Sequence, residues 1–66
     1  MPLGVTYEET GLLLREGRGL VLCPDAGGTW RLDAGRDAER LVGRRVKLVG
    51  VRAGFDLLDV QSIEAV

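Results

Sequence analysis

Residues 41–54 read LVGRRVKLVGVRAG, and the fold follows from the two elements that this stretch joins. Ala38, Leu41 and Val42 are spaced i, i+3 and i+4, which is the period of one face of an α-helix. Acidic residues near the start of this segment and arginines near its end suit the helix dipole. The pattern predicts a short helix over residues 36–42.

Gly43 is expected to end that helix, and charged and apolar side chains then alternate from Arg45 to Val49. A period of two predicts a strand whose arginine and lysine point away from the core. Gly50 interrupts the strand, and a glycine there commonly marks a bulge or a bend in a barrel wall. We therefore expect a bulge or a positive φ at Gly50, and a cost of about 1–3 kcal/mol for Gly50→Val.

Three further strands precede the helix and one follows the bent strand, each bounded by turn-forming residues. They are predicted over residues 12–15, 20–23, 29–33 and 57–63. Three strands, a helix and a two-stranded hairpin is the element order of the all-β, five-stranded OB-like barrel, with its helix plugging one end. An SH3-like barrel is the alternative, and a helix of this length at this place disfavours it.

A chain of 66 residues has room for one domain, so residues 1–66 are predicted to form a single OB-like domain with residues 1–9 as an N-terminal extension. One face of each strand and of the helix must supply the core, because a domain this small buries little surface. The predicted core consists of Leu12, Leu14, Leu20, Leu22, Trp30, Leu32, Leu41, Val46, Leu48, Leu58, Val60 and Ile63.

LVGRRVKLVGV looks like the region that follows the helix in many OB domains. Three other segments also resemble those of a known family: GLLLREGRGLVL, TWRLDA and GFDLLDV. Over residues 10–63 the chain resembles an uncharacterised family of short bacterial proteins. The motifs concerned are structural glycines and strand patterns. The resemblance therefore implies a fold and no activity.

The composition, with 45% hydrophobic and 29% charged residues, is that of an ordinary soluble domain. The sequence has no apolar run of membrane-spanning length and no signal peptide, so we expect a cytoplasmic protein. Cys23 has no disulfide partner, and we expect it to be a small strand residue. Without histidine the chain lacks the usual zinc ligands and bases, so we expect no metal, no cofactor and no catalysis.

Basic charge is concentrated in residues 31–52, which hold seven basic and three acidic side chains, whereas the whole chain has a net charge of −1. A basic stripe favours nucleic acid, because neutralising phosphates releases counterions. Stacking platforms, however, are few, since the chain has one tyrosine, one tryptophan and one phenylalanine. We rank a non-catalytic binding or protein-interaction module first, with weak binding of single-stranded nucleic acid or another anionic ligand as the alternative.

The expected ligand surface is the outer face of the second and third strands with the loops of the first and last hairpins, as OB domains generally use it. Its candidate contact residues are Arg18, Arg31, Arg52 and Phe55. The strand faces opposite the predicted core still carry Leu13, Val21, Val49 and Val51. Leftover apolar strand surface on a small domain favours a homodimer or a protein partner.

Overall fold

Hydrogen bonding between strands closes the sheet on itself. The computed structural model describes residues 4–66. Its elements are β1 (Thr6–Glu16), β2 (Gly19–Pro24), β3 (Trp30–Asp33), α1 (Arg36–Glu39), β4 (Arg45–Arg52) and β5 (Leu57–Ala65). The strands form a closed barrel in the order β1-β2-β3-β5-β4. The predicted five-stranded barrel with one short helix between the third and fourth strands is therefore confirmed.

β1 closes the ring because it is long enough to serve two neighbours. Its second half pairs with β2 from Gly11 to Glu16, and its first half pairs with β4 from Thr6 to Leu12. All neighbouring strands are antiparallel except β3 and β5, which run parallel. β3 and β5 are consequently the neighbours that the chain cannot join by a simple hairpin.

Part of the predicted N-terminal extension, residues 1–9, belongs to the barrel. Residues 6–9 form the start of β1 and pair with β4, with Thr6 opposite Val51 and Glu8 opposite Val49. Thr6 and Glu8 are exposed, so this half of β1 shows little hydrophobic pattern. It forms a strand because it pairs with β4, which is about 40 residues away in sequence. Residues 1–3 of the predicted extension lie outside the described residues.

The helix is shorter than the predicted residues 36–42. α1 ends at Glu39, and the chain continues in turns in which the Leu41 amide donates to Ala38 and the Val42 amide donates to Glu39, both three residues back. Gly43 has a φ of +87°, and its amide donates to the Leu13 carbonyl at 2.7 Å. This bond holds the segment after α1 against β1. The segment therefore forms turns along the barrel and does not continue as a second helical turn.

The predicted face of β1 is wrong by one residue. Leu13 is fully buried, whereas Leu12, predicted to be in the core, is 41% exposed and Leu14 lies half-buried on the same outer face. A shift of one residue exchanges the two faces of a strand. Three consecutive leucines allow either choice, and pairing of Leu13 with Leu22 across the ladder places the central one inside.

The rest of the predicted core agrees better with the structure. Six of its residues are buried and four pack half-buried against them. The buried ones are Leu20, Leu22, Leu32, Val46, Leu48 and Leu58, and the half-buried ones are Trp30, Leu41, Val60 and Ile63. Ala38, which carried the helical spacing, is buried as well.

The predicted outer apolar surface needs a matching correction. Leu13 belongs to the core and Val21 is only 6% exposed, so neither offers free surface. The outward neighbours of Val21 are Leu14 on one side and Arg31 on the other. Self-association through this face stays a prediction.

Gly50 lies at a register shift between β4 and β5, which confirms the predicted bulge. Its φ is not positive, so the reason for a glycine is space. A Cβ there would lie 3.2 Å from both the Asp59 carbonyl oxygen and the Leu58 Cβ. Gly11 is tighter still, because its Cβ would overlap the Cys23 carbonyl oxygen and would lie 2.6 Å from the Pro24 Cα.

Candidate functional site

A cleft opens at the end of the barrel where β3 begins. Two loops form its walls: the β2–β3 turn contributes Gly27, Gly28 and Thr29, and the β4–β5 loop contributes Phe55 and Asp56. Trp30 lies between them, and the cleft has a volume of about 260 Å³. This volume is slightly below the range of about 300–1,000 Å³ for small-ligand pockets.

Trp30 is the first residue of β3, and its ring forms part of the wall of the cleft. It lies opposite Leu22 and is half-buried against the core. The Tyr7 ring packs beside it with centroids 5.2 Å apart and planes tilted by 51°. Such tilted aromatic pairs are a favourable arrangement. The indole is thus fixed on its inner side and available on its outer side.

The β2–β3 turn leaves the opening clear. Gly27 and Gly28 have φ values of +103° and +81°, a region that side chains disfavour. The Gly27 amide donates to the Pro24 carbonyl at 3.0 Å, which closes the turn. Since neither glycine carries a side chain, the backbone itself forms this wall of the cleft.

Phe55 is the most exposed large hydrophobic residue of the described chain, at 89%. Its loop is nevertheless held by hydrogen bonds. Arg52 donates from Nε to the Gly54 carbonyl at 2.9 Å and from Nη2 to the Phe55 carbonyl at 3.0 Å. The Ala53 amide adds a bond to the Leu57 carbonyl at 2.9 Å. The exposed Phe55 ring therefore extends from a loop whose backbone is held by hydrogen bonds.

Arg31 and Asp56 connect β3 to the same loop. Arg31 Nε donates to Asp56 Oδ1 at 2.9 Å, and the Arg31 amide donates to the Asp56 carbonyl at 2.8 Å. The side-chain hydrogen bond from Arg31 lowers the pKa of the Asp56 carboxyl below its ordinary value and raises the pKa of Arg31. The pair is exposed, so its main effect is to position the loop.

The predicted contact residues fall into two groups. Arg31, Arg52 and Phe55 lie around the start of β3 and β5, joined by the contacts above. Arg18 lies in the β1–β2 turn, beyond the pairing of Leu20 with Leu32, and so at the other end of β3. Both hairpin loops thus flank the outer face of β3 from opposite ends.

The sequence predicted Trp30 in the core and did not indicate Gly27 and Gly28 as part of a ligand site. Their role in the cleft depends on β3 pairing in parallel with β5, which brings residues 27–30 beside residues 55–56. Such parallel neighbours leave no local sequence signal. The usable signal was Phe55 itself, an aromatic residue within a predicted hairpin loop.

Ion pairs neutralise much of the basic segment, residues 31–52. Besides Arg31, three of its basic side chains lie within 4.0 Å of a carboxylate, and Arg52 binds carbonyls. The three pairs are Arg40–Asp37, Arg45–Asp25 and Lys47–Glu8. Within residues 4–66, the arginines that lie near no carboxylate are Arg18, Arg36 and Arg44. None of these three lines the cleft.

Other kinds of site have little support in the described part of the chain. Residues 4–66 contain no group of three or more metal-ligating side chains, and Cys23 is a half-buried free thiol. The one helix found in those residues is four residues long, far short of what is needed to cross a membrane. Three of the four predicted contact residues, Arg31, Arg52 and Phe55, belong to or hold the loop at the cleft around Trp30, which we therefore take as the candidate site.

Comparison with known proteins identifies the family of this barrel. No curated protein and no solved structure matches the chain. A family model does match it over residues 10–66, which includes most of β1 and every later element. The chain therefore belongs to DUF5818, a family described as protein of unknown function.

Proposed function

We propose that this protein is a non-catalytic, OB-like binding module that takes up a flat apolar group of a protein partner in the cleft between Phe55 and Trp30. The observation that carries the proposal is the 89% exposure of Phe55 on a loop tied down by Arg52. Exposing a large aromatic side chain to water is unfavourable, and such residues are enriched at the centres of interfaces.

The energetics favour an aromatic or branched aliphatic side chain as the bound group. A buried phenylalanine contributes on the order of 150–250 Å² of contact area, and apolar burial is worth about 25 cal/mol per Å². Trp30 offers a second aromatic surface, already fixed by Tyr7. Because the loop is tethered before binding, less entropy is lost when the ligand is taken up.

The charge around the cleft favours a neutral ligand. Among residues 4–66, its one charged lining residue is Asp56, and Asp56 is paired with Arg31. Arg52 is directed to loop carbonyls. A phosphate bound here would have to compete with those contacts, so the local electrostatics add little affinity for an anion.

Single-stranded nucleic acid remains the second candidate, and one observation favours it. Phe55 and Trp30 are two aromatic side chains that line one cleft, and Arg31 follows Trp30 in β3; aromatic side chains near basic charge are typical of base-stacking platforms. Such binding would be strongest at low salt and would fall steeply as salt is added.

The absence of catalysis is also a proposal. The lining residues are glycines, Thr29, two aromatic residues and Asp56, and a nucleophile needs an adjacent general base. Thr29 has no histidine to activate it, since the chain contains none. A cytoplasmic location likewise remains our expectation from the sequence.

The experiment is a titration of ¹⁵N-labelled full chain with three probes: N-acetyl-tryptophanamide, N-acetyl-leucinamide and a ten-residue oligothymidylate. We expect the tryptophan amide to bind in the millimolar range and to shift the amides of Gly27, Gly28, Trp30 and Phe55. Phe55→Ala should weaken this binding at least about fivefold, as loss of an interface anchor does. Arg18→Ala, at the other end of β3, is the matched control and should leave it unchanged.

Each remaining outcome is also decisive. Steeply salt-dependent binding of the oligonucleotide, with shifts at Arg31 and Phe55, would replace the protein partner by nucleic acid. No shift at the cleft from either amino-acid amide, or equal binding by Phe55→Ala, would overturn the proposal.

A further inference from the structure

One edge of β5 has no partner strand along more than half of its length. β5 pairs with β4 from Leu58 to Ala65, but it pairs with β3 only from Leu57 to Asp59. β3 ends at Asp33, and the chain then leaves the sheet for α1. Within residues 4–66, no strand pairs with the β3 side of residues 60–65.

The ladder with β4 shows which backbone groups point toward this open edge. The Val66 amide donates to the Arg45 carbonyl at 3.0 Å. Bonded pairs alternate along an antiparallel ladder, so Glu64 directs its amide and carbonyl toward β4, while Ile63 and Ala65 direct theirs away from it. Ile63 and Ala65 therefore present backbone donors and acceptors along the open edge.

A groove of about 300 Å³ runs beside this edge. One of its walls is β5, and the other is the segment that leads into α1. Its lining residues are Ala34, Gly35, Asp37, Ala38, Val60, Gln61, Ser62 and Ile63. The α1 wall is made mostly of alanine and glycine, which leaves room for a main chain at the spacing of about 4.8 Å that neighbouring strands need.

The charge around the groove is mainly negative. Asp37 lines it with a side chain that is 93% exposed, and its one ion-pair partner in the described part of the chain is Arg40, 3.8 Å away. Asp59 and Glu64 are the charged residues of β5, and Asp33 ends β3; all three are exposed. The basic side chains nearest in sequence or ladder are Arg36, at the start of α1, Arg40, directly after it, and Lys47, which lies opposite Glu64 and is paired with Glu8. With Asp37, the four carboxylates outnumber them, which favours a basic ligand.

β5 also lacks two of the residue types that commonly protect an edge strand. Exposed edges are commonly blocked by proline or lysine, and residues 57–65 contain neither. The Gln61 side chain donates to the Asp59 carbonyl at 3.3 Å, and this bond lies at the start of the open stretch. Residues 62–65 remain open to another strand.

We propose that this open edge binds an extended basic segment of a protein partner, which joins the barrel as an additional strand beside β5. Main-chain hydrogen bonds to Ile63 and Ala65 supply affinity, and the groove accepts alternate side chains. The carboxylates select lysine or arginine in the segment. This site is separate from the cleft at Phe55 and does not depend on it.

The test uses a displayed library of random twelve-residue peptides selected on the immobilised full chain. Enriched peptides are synthesised and titrated into ¹⁵N-labelled protein. We expect peptides with alternating β-branched and basic residues, and slower hydrogen exchange at the Ile63 and Ala65 amides on binding. The Ser62 and Glu64 amides, which already face β4, should change little.

Two substitutions provide a matched pair. Gly35 lines the groove, its φ is −78°, and a Cβ there meets nothing within 4 Å, so Gly35→Leu fills the groove without backbone strain. Gly19 also has open space, with the nearest atom 3.9 Å from its Cβ, and lies away from the groove. Gly35→Leu should weaken peptide binding at least tenfold, and Gly19→Leu should leave it unchanged.

A charge variant and a cleft variant complete the design. Asp37→Asn combined with Glu64→Gln should weaken binding of a basic peptide several-fold and reduce its salt dependence. Phe55→Ala should leave peptide binding unchanged, which separates this proposal from the proposed cleft function. Failure to enrich any peptide, or protection that appears at Phe55 and not at Ile63, would overturn it.

Discussion

Leu13 of β1 lies opposite Leu22 of β2, and both side chains are fully buried. This pair fixes the register of β1, because moving the strand by one residue would bring Leu12 or Leu14 into its place. The outer face keeps Leu12 at 41% exposure. The two neighbouring leucines should therefore differ sharply in their contribution to stability.

We expect Leu13→Ala to lower the free energy of unfolding by about 2–5 kcal/mol, the range for truncation of a buried leucine. Leu12→Ala, its matched control, should cost less than about 1 kcal/mol because its side chain already contacts water. Urea unfolding followed by Trp30 fluorescence measures both. Equal losses, or a larger loss for Leu12→Ala, would mean that β1 has the opposite register.

Gly11 should tolerate no side chain. A Cβ there would overlap the Cys23 carbonyl oxygen and would lie 2.6 Å from the Pro24 Cα, and both are backbone atoms of β2. Gly11→Ala should therefore cost at least about 2 kcal/mol, since the β1–β2 ladder has to open. Gly19→Ala meets open space and should change stability by less than about 0.5 kcal/mol. A neutral Gly11→Ala would show that β1 and β2 do not approach so closely.

Gly50 should tolerate alanine better than valine. A Cβ at this position would lie only 3.2 Å from atoms of Asp59 and Leu58, which leaves little room at the bulge. We expect Gly50→Val to cost about 1–3 kcal/mol, the range for overpacking, and Gly50→Ala to cost less. Thermal unfolding of the two variants measures the difference. A stable Gly50→Val would indicate a regular strand at this position.

The sequence predicted strands best where polar and apolar residues alternate. Trp30 and Leu32, and likewise Val46 and Leu48, are separated by charged residues, so their inward faces were unambiguous. Three leucines at residues 12–14 carry no such signal, and only pairing with β2 decides among them. The polar start of β1 was missed for a related reason, since its partner β4 is remote in sequence.

The candidate site was less predictable than the fold. Phe55 and Arg31 were identified as contact residues from their loop and strand positions. They lie close to Gly27 and Trp30 only because β3 pairs in parallel with β5, and this pairing follows from barrel closure. The open edge of β5 depends likewise on where β3 ends, at Asp33, and that boundary has no sharp sequence mark.

The Asp56–Arg31 pair predicts a specific pH dependence. The hydrogen bond from Arg31 lowers the pKa of Asp56 in the folded protein. A carboxyl whose pKa is lower in the folded than in the unfolded state stabilises the fold above the unfolded pKa, about 3.9, and loses that contribution as the pH falls through the folded pKa. The stability difference between wild type and Asp56→Asn should therefore shrink as the solution is acidified below about pH 4.

Carboxyl ¹³C titration by NMR measures the Asp56 pKa directly. We expect Arg31→Ala to return it toward the ordinary aspartate value, because the principal cause of the shift is then removed. Arg18→Ala, which changes the same charge at the other end of β3, is the control. An Asp56 pKa that is unaffected by Arg31→Ala would contradict the observed pairing.

The central claim is that Phe55 forms a wall of the cleft before any ligand arrives, and ¹⁵N relaxation of its amide tests this most directly. With the Arg52 side chain bonded to the Gly54 and Phe55 carbonyls, we predict an order parameter of about 0.8 or more, close to that of rigid backbone. Arg52→Ala should lower it. An order parameter below about 0.6 in the wild-type protein would contradict the account, because the exposed ring would then belong to a flexible loop.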